Sequence, residues 1–358
     1  MSGLRISIIV PCYNEEESLR EAYRRVTDVL VSHGEADHEL LFVDDGSTDD
    51  TPHILRELAE RDKTVKVIRF SRNFGQQAAM SAGIEACTGD VAILMDADLQ
   101  DPPELFPDMI AKYEDVNCNV VYAVRKRRDG ESLFKKVTAK LWYRFINFAS
   151  EVPQPIDTGD FRLIDRKVIE AFKEFNETNK YVRGLISWAG FRQCAVYYDR
   201  SSRFSGSTKY DLRSLSRLAL LATFYFSRRP LQFASLLGVS SILVAFGLGA
   251  YALLADANAM GTAAGGWKAT IAAVIFLGGV QLITVGILGQ YLGRIFDEVK
   301  RRPQYVVAET LNIQAAEEKA PERGAPPRMR LVKHDREPFR DDGEKGWPET
   351  RRAHKRAG

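Results

Sequence analysis

Met95-Asp96-Ala97-Asp98-Leu99-Gln100-Asp101-Pro102-Pro103-Glu104 follows the apolar run Val91-Ala92-Ile93-Leu94. That run is short, continuous and free of charge, the pattern of a strand buried on both faces. Two carboxylates at i and i+2, Asp96 and Asp98, therefore emerge where a strand ends. There they can grip one divalent cation and leave its other faces open to a diphosphate. Hard cations such as Mg²⁺ take oxygen ligands and share them between carboxylates and substrate phosphates. A lone D-x-D is more often a solvated loop, so the reading depends on its company.

The company lies upstream. Ile6 to Val10 reads as a first strand and leads into Pro11-Cys12-Tyr13-Asn14-Glu15-Glu16-Glu17. Leu19, Ala22, Tyr23, Val26, Val29 and Leu30 then recur at helix spacing. A second strand, Leu40 to Val43, ends in Asp44-Asp45-Gly46-Ser47-Thr48-Asp49, and a third, Val65 to Phe70, ends in Ser71-Arg72-Asn73-Phe74-Gly75. Each strand delivers polar residues at its carboxyl end, where open α/β sheets bind ligands. One such loop is ordinary turn chemistry; three beside a D-x-D point to a site.

With 358 residues the chain can hold one good-sized catalytic domain and more, and its net charge of +2 gives no sign of a nucleic-acid partner. Cys12, Cys87, Cys118 and Cys194 are scattered, with no C-x-x-C pair. Free thiols in a reducing cytosol are expected, with neither a zinc site nor a disulfide framework. No cleavable leader is read before the first strand.

Leu231 to Ala255 and Ala269 to Gly293 are apolar stretches long enough to cross a hydrocarbon core of about 30 Å. Arg228 and Arg229 precede the first, and Arg294, Lys300, Arg301 and Arg302 follow the second; Asp256 to Trp267 between them holds no Lys or Arg. The positive-inside rule then places both termini and the catalytic part in the cytoplasm, with the short loop outside. Gly278, Gly279, Gly286, Gly289 and Gly293 would allow close helix packing; whether the partner is the first span or another subunit, making a homo-oligomer, stays open. Leu133 to Phe148 and Leu212 to Phe226 are basic and amphipathic, as interfacial helices are. Five parts are expected: residues 1–211 catalytic, 212–229 a juxtamembrane amphipathic helix, 230–295 two transmembrane helices, 296–311 a cytoplasmic return segment, and 312–358 a disordered charged tail.

Pro11-Cys12-Tyr13-Asn14-Glu15, Val43-Asp44-Asp45-Gly46-Ser47 and Asp96-Ala97-Asp98-Leu99-Gln100 together resemble family 2 glycosyltransferases of the GT-A (Rossmann-like) α/β fold. Asp96 to Glu104 is similar to the dolichyl-phosphate mannose synthase branch. Asp157-Thr158-Gly159-Asp160-Phe161-Arg162-Leu163, Arg203-Phe204-Ser205-Gly206-Ser207-Thr208-Lys209-Tyr210 and Arg301-Arg302-Pro303-Gln304-Tyr305 resemble the bactoprenol glucosyltransferase type. The resemblance spans roughly residues 4–308 and omits the tail.

That resemblance implies sugar transfer from a nucleotide sugar, first UDP-glucose, to undecaprenyl or another polyprenyl phosphate at a bacterial cytoplasmic membrane. A UDP-aminoarabinose derivative, UDP-galactose, a UDP-N-acetylhexosamine and GDP-mannose remain as donors. It implies Mg²⁺ or Mn²⁺ on Asp98 and Gln100, with Asp96 ligating or supporting the donor. Pro11, Tyr13, Glu15, Asp44 and Asp45 would hold the nucleoside, with Arg72 and Gly75 near the donor. A lipid phosphate is already anionic and needs cationic positioning more than a general base. Arg125, Arg127, Arg128, Lys135, Arg203 and Lys209 are candidates, because guanidinium forks match phosphate oxygens; Arg127 also reads as a plain surface charge. Asp157 and Asp160 fall in a Thr-Gly turn, with a catalytic or acceptor-side role implied for Asp157, and for Asp160 either that or anchoring Arg162. An inverting, in-line attack would turn an α-linked donor into a β-linked product.

Other classes fit less well. A processive polysaccharide synthase would carry Q-x-x-R-W and more spans, and a nicotinamide dehydrogenase needs G-x-G-x-x-G after the first strand. A membrane-anchored protein that binds nucleotide sugars without turnover is the remaining non-enzymatic reading.

Overall fold

The computed structural model describes residues 3–34, 37–125, 158–178, 180–198, 229–254 and 263–313. Among them are eight strands in one sheet, ordered β7-β5-β6-β4-β1-β2-β3-β8. The centre is parallel: β1 (Ile6–Cys12), β2 (His38–Asp44), β3 (Val65–Phe70) and β4 (Val91–Leu94). Helices α1 (Leu19–Ser32), α2 (Thr51–Arg61) and α3 (Gln76–Ala86) connect them. After β4 come a short 3₁₀ turn at Pro103–Leu105, α4 (Phe106–Val116) and β5 (Val120–Arg125). Then follow β6 (Thr158–Asp165), α5 (Arg166–Lys173), α6 (Val182–Trp188) and β7 (Gln193–Tyr198). β6 runs antiparallel to both β4 and β5, so the sheet is mixed.

Burial follows from the pattern of each segment. Every residue of β1 is buried, as expected for a central strand covered on both faces. Its side chains alternate: Ile6, Ile8 and Val10 face a core shared with α1, α2 and α4, while Ile9 faces α3 and α5. Pro11 costs the ladder nothing, because pairing with β4 ends at Ile9. α1 buries Leu19, Ala22, Val26, Val29 and Leu30, the stripe its periodicity predicts. α3 is built of small residues and lies tight on β1: a Cβ at Gly83 would meet Ile9 Cγ2 at 2.3 Å.

The amino edge of the sheet is closed by a buried carboxylate. Glu39 is 1% exposed and accepts hydrogen bonds from Ser7 Oγ, Lys66 Nζ, Thr88 Oγ1 and the Thr88 amide. Burial alone would raise its pKa; the Lys66, Ser7 and Thr88 donors outweigh that and hold it down at about 2.

The structure departs from the sequence reading at several places. Residues 158–165 form a strand, not a Thr-Gly turn. Cys118 and Cys194 are joined in a disulfide, with Cα atoms 6.1 Å apart, which corrects the expectation of four free thiols; Cys12 and Cys87 are free and buried. The pairing of β5 with β7 brings the two together across 76 residues of sequence, a proximity that spacing alone does not encode.

The return segment also folds. α7 (Arg229–Leu254) and α8 (Ala263–Lys300) lie against each other, and β8 (Val307–Leu311) then adds an antiparallel strand to the edge at β3. Thr178 donates its amide (3.1 Å) and hydroxyl (2.9 Å) to Glu298 of α8. Tyr305 stacks on Phe70 with centroids 4.7 Å apart and donates to Glu85 at 2.7 Å. Tyr305, the last residue of the motif Arg301 to Tyr305, thus docks the segment after α8 onto the sheet and α3. Within α8, Ala273–Lys300 is long and apolar enough to cross a membrane by length and composition, and Leu231–Gly247 of α7 is a shorter apolar stretch. Both carry large exposed apolar side chains, among them Phe246, Leu282 and Leu292. The segments 133–148 and 212–226, and the tail from 314, lie outside the described residues.

Glu39 sets a pH dependence. Its folded pKa of about 2 lies below its ordinary value of 4.5, so its stabilisation is complete above 4.5 and is lost as pH falls towards 2. Glu39→Gln should cost about 3 kcal/mol at neutral pH. Chemical unfolding measured across pH should show the variant losing the steep acid limb of the wild type.

Candidate active site

Four loops meet at the carboxyl edge of the parallel strands, and hydrogen bonds stitch each to the next. The Asp45 amide donates to Cys12 O at 2.9 Å. Asn14, held at φ 54°, donates its amide to Ser47 Oγ (3.0 Å) and accepts the Thr48 amide on Oδ1 (2.9 Å). The Glu15 amide donates to Thr51 Oγ1 at 2.9 Å. Asp45, buried at the end of β2, accepts the amides of Phe74 (2.7 Å) and Gly75 (2.8 Å), one on each oxygen. Gln76 then opens α3 and donates Nε2 to Asp96 Oδ1 at 2.7 Å. Gly46 is required where these loops touch: its φ is +70°, and a Cβ there would lie 2.4 Å from the Arg72 carbonyl carbon.

The aspartate loop gathers negative charge. Burial pushes the largely covered Asp96 up to about 8, and the charges of Asp160, Asp101 and Asp98 add to the shift; the Gln76 amide opposes it. The Gln100 amide donates to Asp98 Oδ1 at 3.1 Å, and Leu99 between them has φ 58° with its side chain in the core. Asp101 is buried and accepts a hydrogen bond from the Tyr198 hydroxyl at the end of β7. Arg183 of α6 pairs with Asp160 at 3.0 Å, while Arg162 Nη2 donates to the Gly159 carbonyl at 3.0 Å and feels Asp160 through its charge. Arg162, one strand step deeper, is buried; loss of solvent and the neighbouring Arg183 lower its pKa to about 10.

The structure brings Pro11, Tyr13, Glu15, Asp44, Asp45, Arg72, Gly75, Asp96, Asp98 and Gln100 to this one edge. It distributes them unequally. Tyr13 and Arg72 are exposed and Glu15 is half-buried, whereas Pro11, Asp44 and Asp45 lie beneath the surface. The Arg72 guanidinium rests over the Phe74 ring, 4.1 Å from its centroid. Arg125 ends β5; Arg127, Arg128, Lys135, Asp157, Arg203 and Lys209 lie outside the described residues. Among the described residues, no three His, Cys, Asp or Glu side chains are grouped to enclose a metal ion. Gln76, Arg183 and Tyr198 belong to the site through their partners, and nothing in their local sequence marks them.

The model of Glycosyl transferase family 2 matches residues 7–172. The chain is 43% identical over 315 residues to the uncharacterized glycosyltransferase YkcC of Bacillus subtilis (strain 168), covering 87% of this chain and 95% of that one. It is 37% identical over 306 residues to the prophage bactoprenol glucosyl transferase homolog of Escherichia coli (strain K12), covering 85% and 98%. Against the bactoprenol glucosyl transferase of Shigella phage SfII it is 36% identical over 304 residues, covering 85% and 97%. The solved mannosyltransferase PcManGT from Pyrobaculum calidifontis, in complex with GDP-Man and Mn²⁺, aligns with TM-score 0.47 and 19% identity over 82% of this chain and 88% of that one. The family match and these relatives make the chain a glycosyltransferase, and its mixed α/β sheet with an acidic loop after the fourth strand is of the GT-A kind. The chain belongs to glycosyltransferase family 2.

The Asp45 grip can be tested alone. Asp45→Ala leaves the Phe74 and Gly75 amides unpaired and should release residues 71–75. Hydrogen exchange at those two amides should accelerate by roughly tenfold or more while β1 stays protected; unchanged protection there would show that the loop does not depend on Asp45.

Proposed function

We propose that this enzyme transfers a sugar, first glucose from UDP-glucose, to a polyprenyl phosphate such as undecaprenyl phosphate at the cytoplasmic face of a bacterial membrane. The observation that carries the donor half is the stitched rim of loops beside the Asp96 carboxylate. The acceptor half is supported by relatives named bactoprenol glucosyl transferase at 36–37% identity over 85% of the chain. Membrane attachment is supported by the exposed apolar α7–α8 pair and by β8. β8 joins the catalytic sheet after α8, which suits a pair of crossings that brings the chain back to the side of the catalytic part.

The donor set suits a hard divalent cation. Asp96, Asp98 and Gln100 offer oxygen ligands, and the Asp96 pKa, raised first by burial and then by the charges of Asp160, Asp101 and Asp98, leaves a carboxylate that a cation would stabilise. Asp98 and Gln100, with Asp96, would hold Mg²⁺ or Mn²⁺. When bound, the ion would neutralise charge on the departing nucleoside diphosphate. Tyr13, Glu15 and Arg72 face the donor from the rim, with Asp44 and Asp45 fixing the turn below. Arg125, Arg128, Lys135, Arg203 and Lys209 would orient the lipid phosphate, and Asp157 would act on the acceptor side. The phosphate oxygen attacks the anomeric carbon in line, the bond to the diphosphate breaks, and the linkage inverts. No proton has to leave the nucleophile, so no strong base is needed.

The reading is tested by sugar transfer in detergent to undecaprenyl phosphate, with a panel of radiolabelled UDP- and GDP-sugars and with metal or chelator. Label should enter the lipid from one donor, only with metal. Asp98→Asn should lower turnover at least about a thousandfold while the protein stays folded; wild-type turnover would remove Asp98 from the metal site. Arg203→Ala should raise KM for the lipid phosphate by roughly tenfold and leave the donor KM in place. An equal change in both would detach Arg203 from the acceptor.

A further inference from the structure

Asp44, Arg69 and Glu309 stand opposite one another on three adjacent strands. Asp44 is in register with Arg69, and Arg69 with Glu309. Asp44 is fully buried. Its Oδ1 accepts the Ser47 amide at 2.9 Å and so closes the Gly46 turn. Its Oδ2 makes no hydrogen bond and faces Arg69 Nε at 3.4 Å. Arg69 Nη1 lies 3.9 Å from Glu309 Oε2, and Arg56 Nη2 holds that same oxygen at 2.9 Å.

These placements have a direct electrostatic reading. A buried carboxylate is costly unless a cation or donors compensate it. Arg69 is the cation facing Asp44 Oδ2, and its side chain is 36% exposed, so it has room to swing into solvent. Glu309, on the opposite side from Asp44, restrains that swing. The Asp44 oxygen that shapes the turn is thus held through Arg69 by a residue of the C-terminal strand.

We infer that Arg69, restrained by Glu309 of β8, is a positioning residue for the turn Asp44 to Ser47, and that nucleotide affinity depends on this strand beyond the apolar helix α8. The inference rests on the nucleotide-sugar reading of the site. It gives the return segment a part in donor binding as well as in anchoring α8.

The test uses the full chain in detergent, with UDP and GDP as calorimetric probes. Wild type, Arg69→Met, Arg69→Lys, Glu309→Gln and the Arg69→Met/Glu309→Gln double variant are compared. Thermal unfolding and the KM for undecaprenyl phosphate are measured alongside. Arg69→Met should weaken the nucleotide that wild type binds by about tenfold, with partial recovery in Arg69→Lys. Glu309→Gln should weaken it by roughly threefold, and the double variant should be no worse than Arg69→Met, because the two act in series. Lipid KM should stay at the wild-type value in every variant, and the unfolding midpoint should stay there in Glu309→Gln; Arg69→Met should lower the midpoint, because it leaves the buried Asp44 carboxylate uncompensated. Unchanged nucleotide affinity in Arg69→Met overturns the inference, as does an equal weakening of nucleotide and lipid phosphate in Glu309→Gln. If Arg69→Met does not fold, Glu309→Gln decides on the same readout. A wild type that binds neither UDP nor GDP would instead overturn the nucleotide-sugar reading, and this inference with it.

Discussion

The carboxylate of Asp45 spans the gap between two loops that the chain reaches separately. It sits at the end of β2 and takes two amides from the segment after β3. That segment leads into α3, whose first residue, Gln76, holds Asp96. On the other side, Asn14 ties the loop after β1 to Ser47 and Thr48. Loss of the Asp45 grip would therefore uncouple the rim from the aspartate loop. Parallel strands make such a rim available, because they direct all four loops to one edge.

The two edges of the sheet use carboxylates in opposite ways. Glu39, at the amino edge, is met by an ammonium, two hydroxyls and an amide, and its pKa falls to about 2. Asp96, at the carboxyl edge, is pushed up to about 8 by burial and then by its acidic neighbours, with the Gln76 amide opposing the shift. The first arrangement is satisfied by the fold itself. The second is frustrated in the free protein, as expected where a ligand completes the balance. The C-terminal strap is pinned at three points: Glu298 to Thr178, Tyr305 to Glu85 of α3, and Glu309 to Arg69 of β3.

Much of this was legible in the sequence. The strands β1 to β4 are continuous apolar runs that end in polar loops, so their existence and the edge of the site follow from pattern alone. The acidic loop was legible for the same reason. What pattern could not supply is anything set by long-range pairing. β8 is short, half-polar Val-Ala-Glu-Thr-Leu, and becomes a strand only because β3 offers it an edge. Cys118 and Cys194 meet only through the pairing of β5 with β7. Asp44 and Asp45 look alike in sequence to the exposed aspartates nearby; burial beneath Gly46 makes them supports of the turn. Asp160 pairs with Arg183, which is distant in sequence and comes from α6, while the nearby Arg162 is buried and donates to the Gly159 carbonyl.

The measurement closest to the central claim is an experimental structure of the full chain with UDP and Mn²⁺. The account predicts the diphosphate beside Asp96 and Asp98 and the nucleoside between Tyr13 and Arg72, above an unmoved Asp45 grip. Nucleotide bound away from that rim, or a diphosphate remote from Asp98, would contradict it.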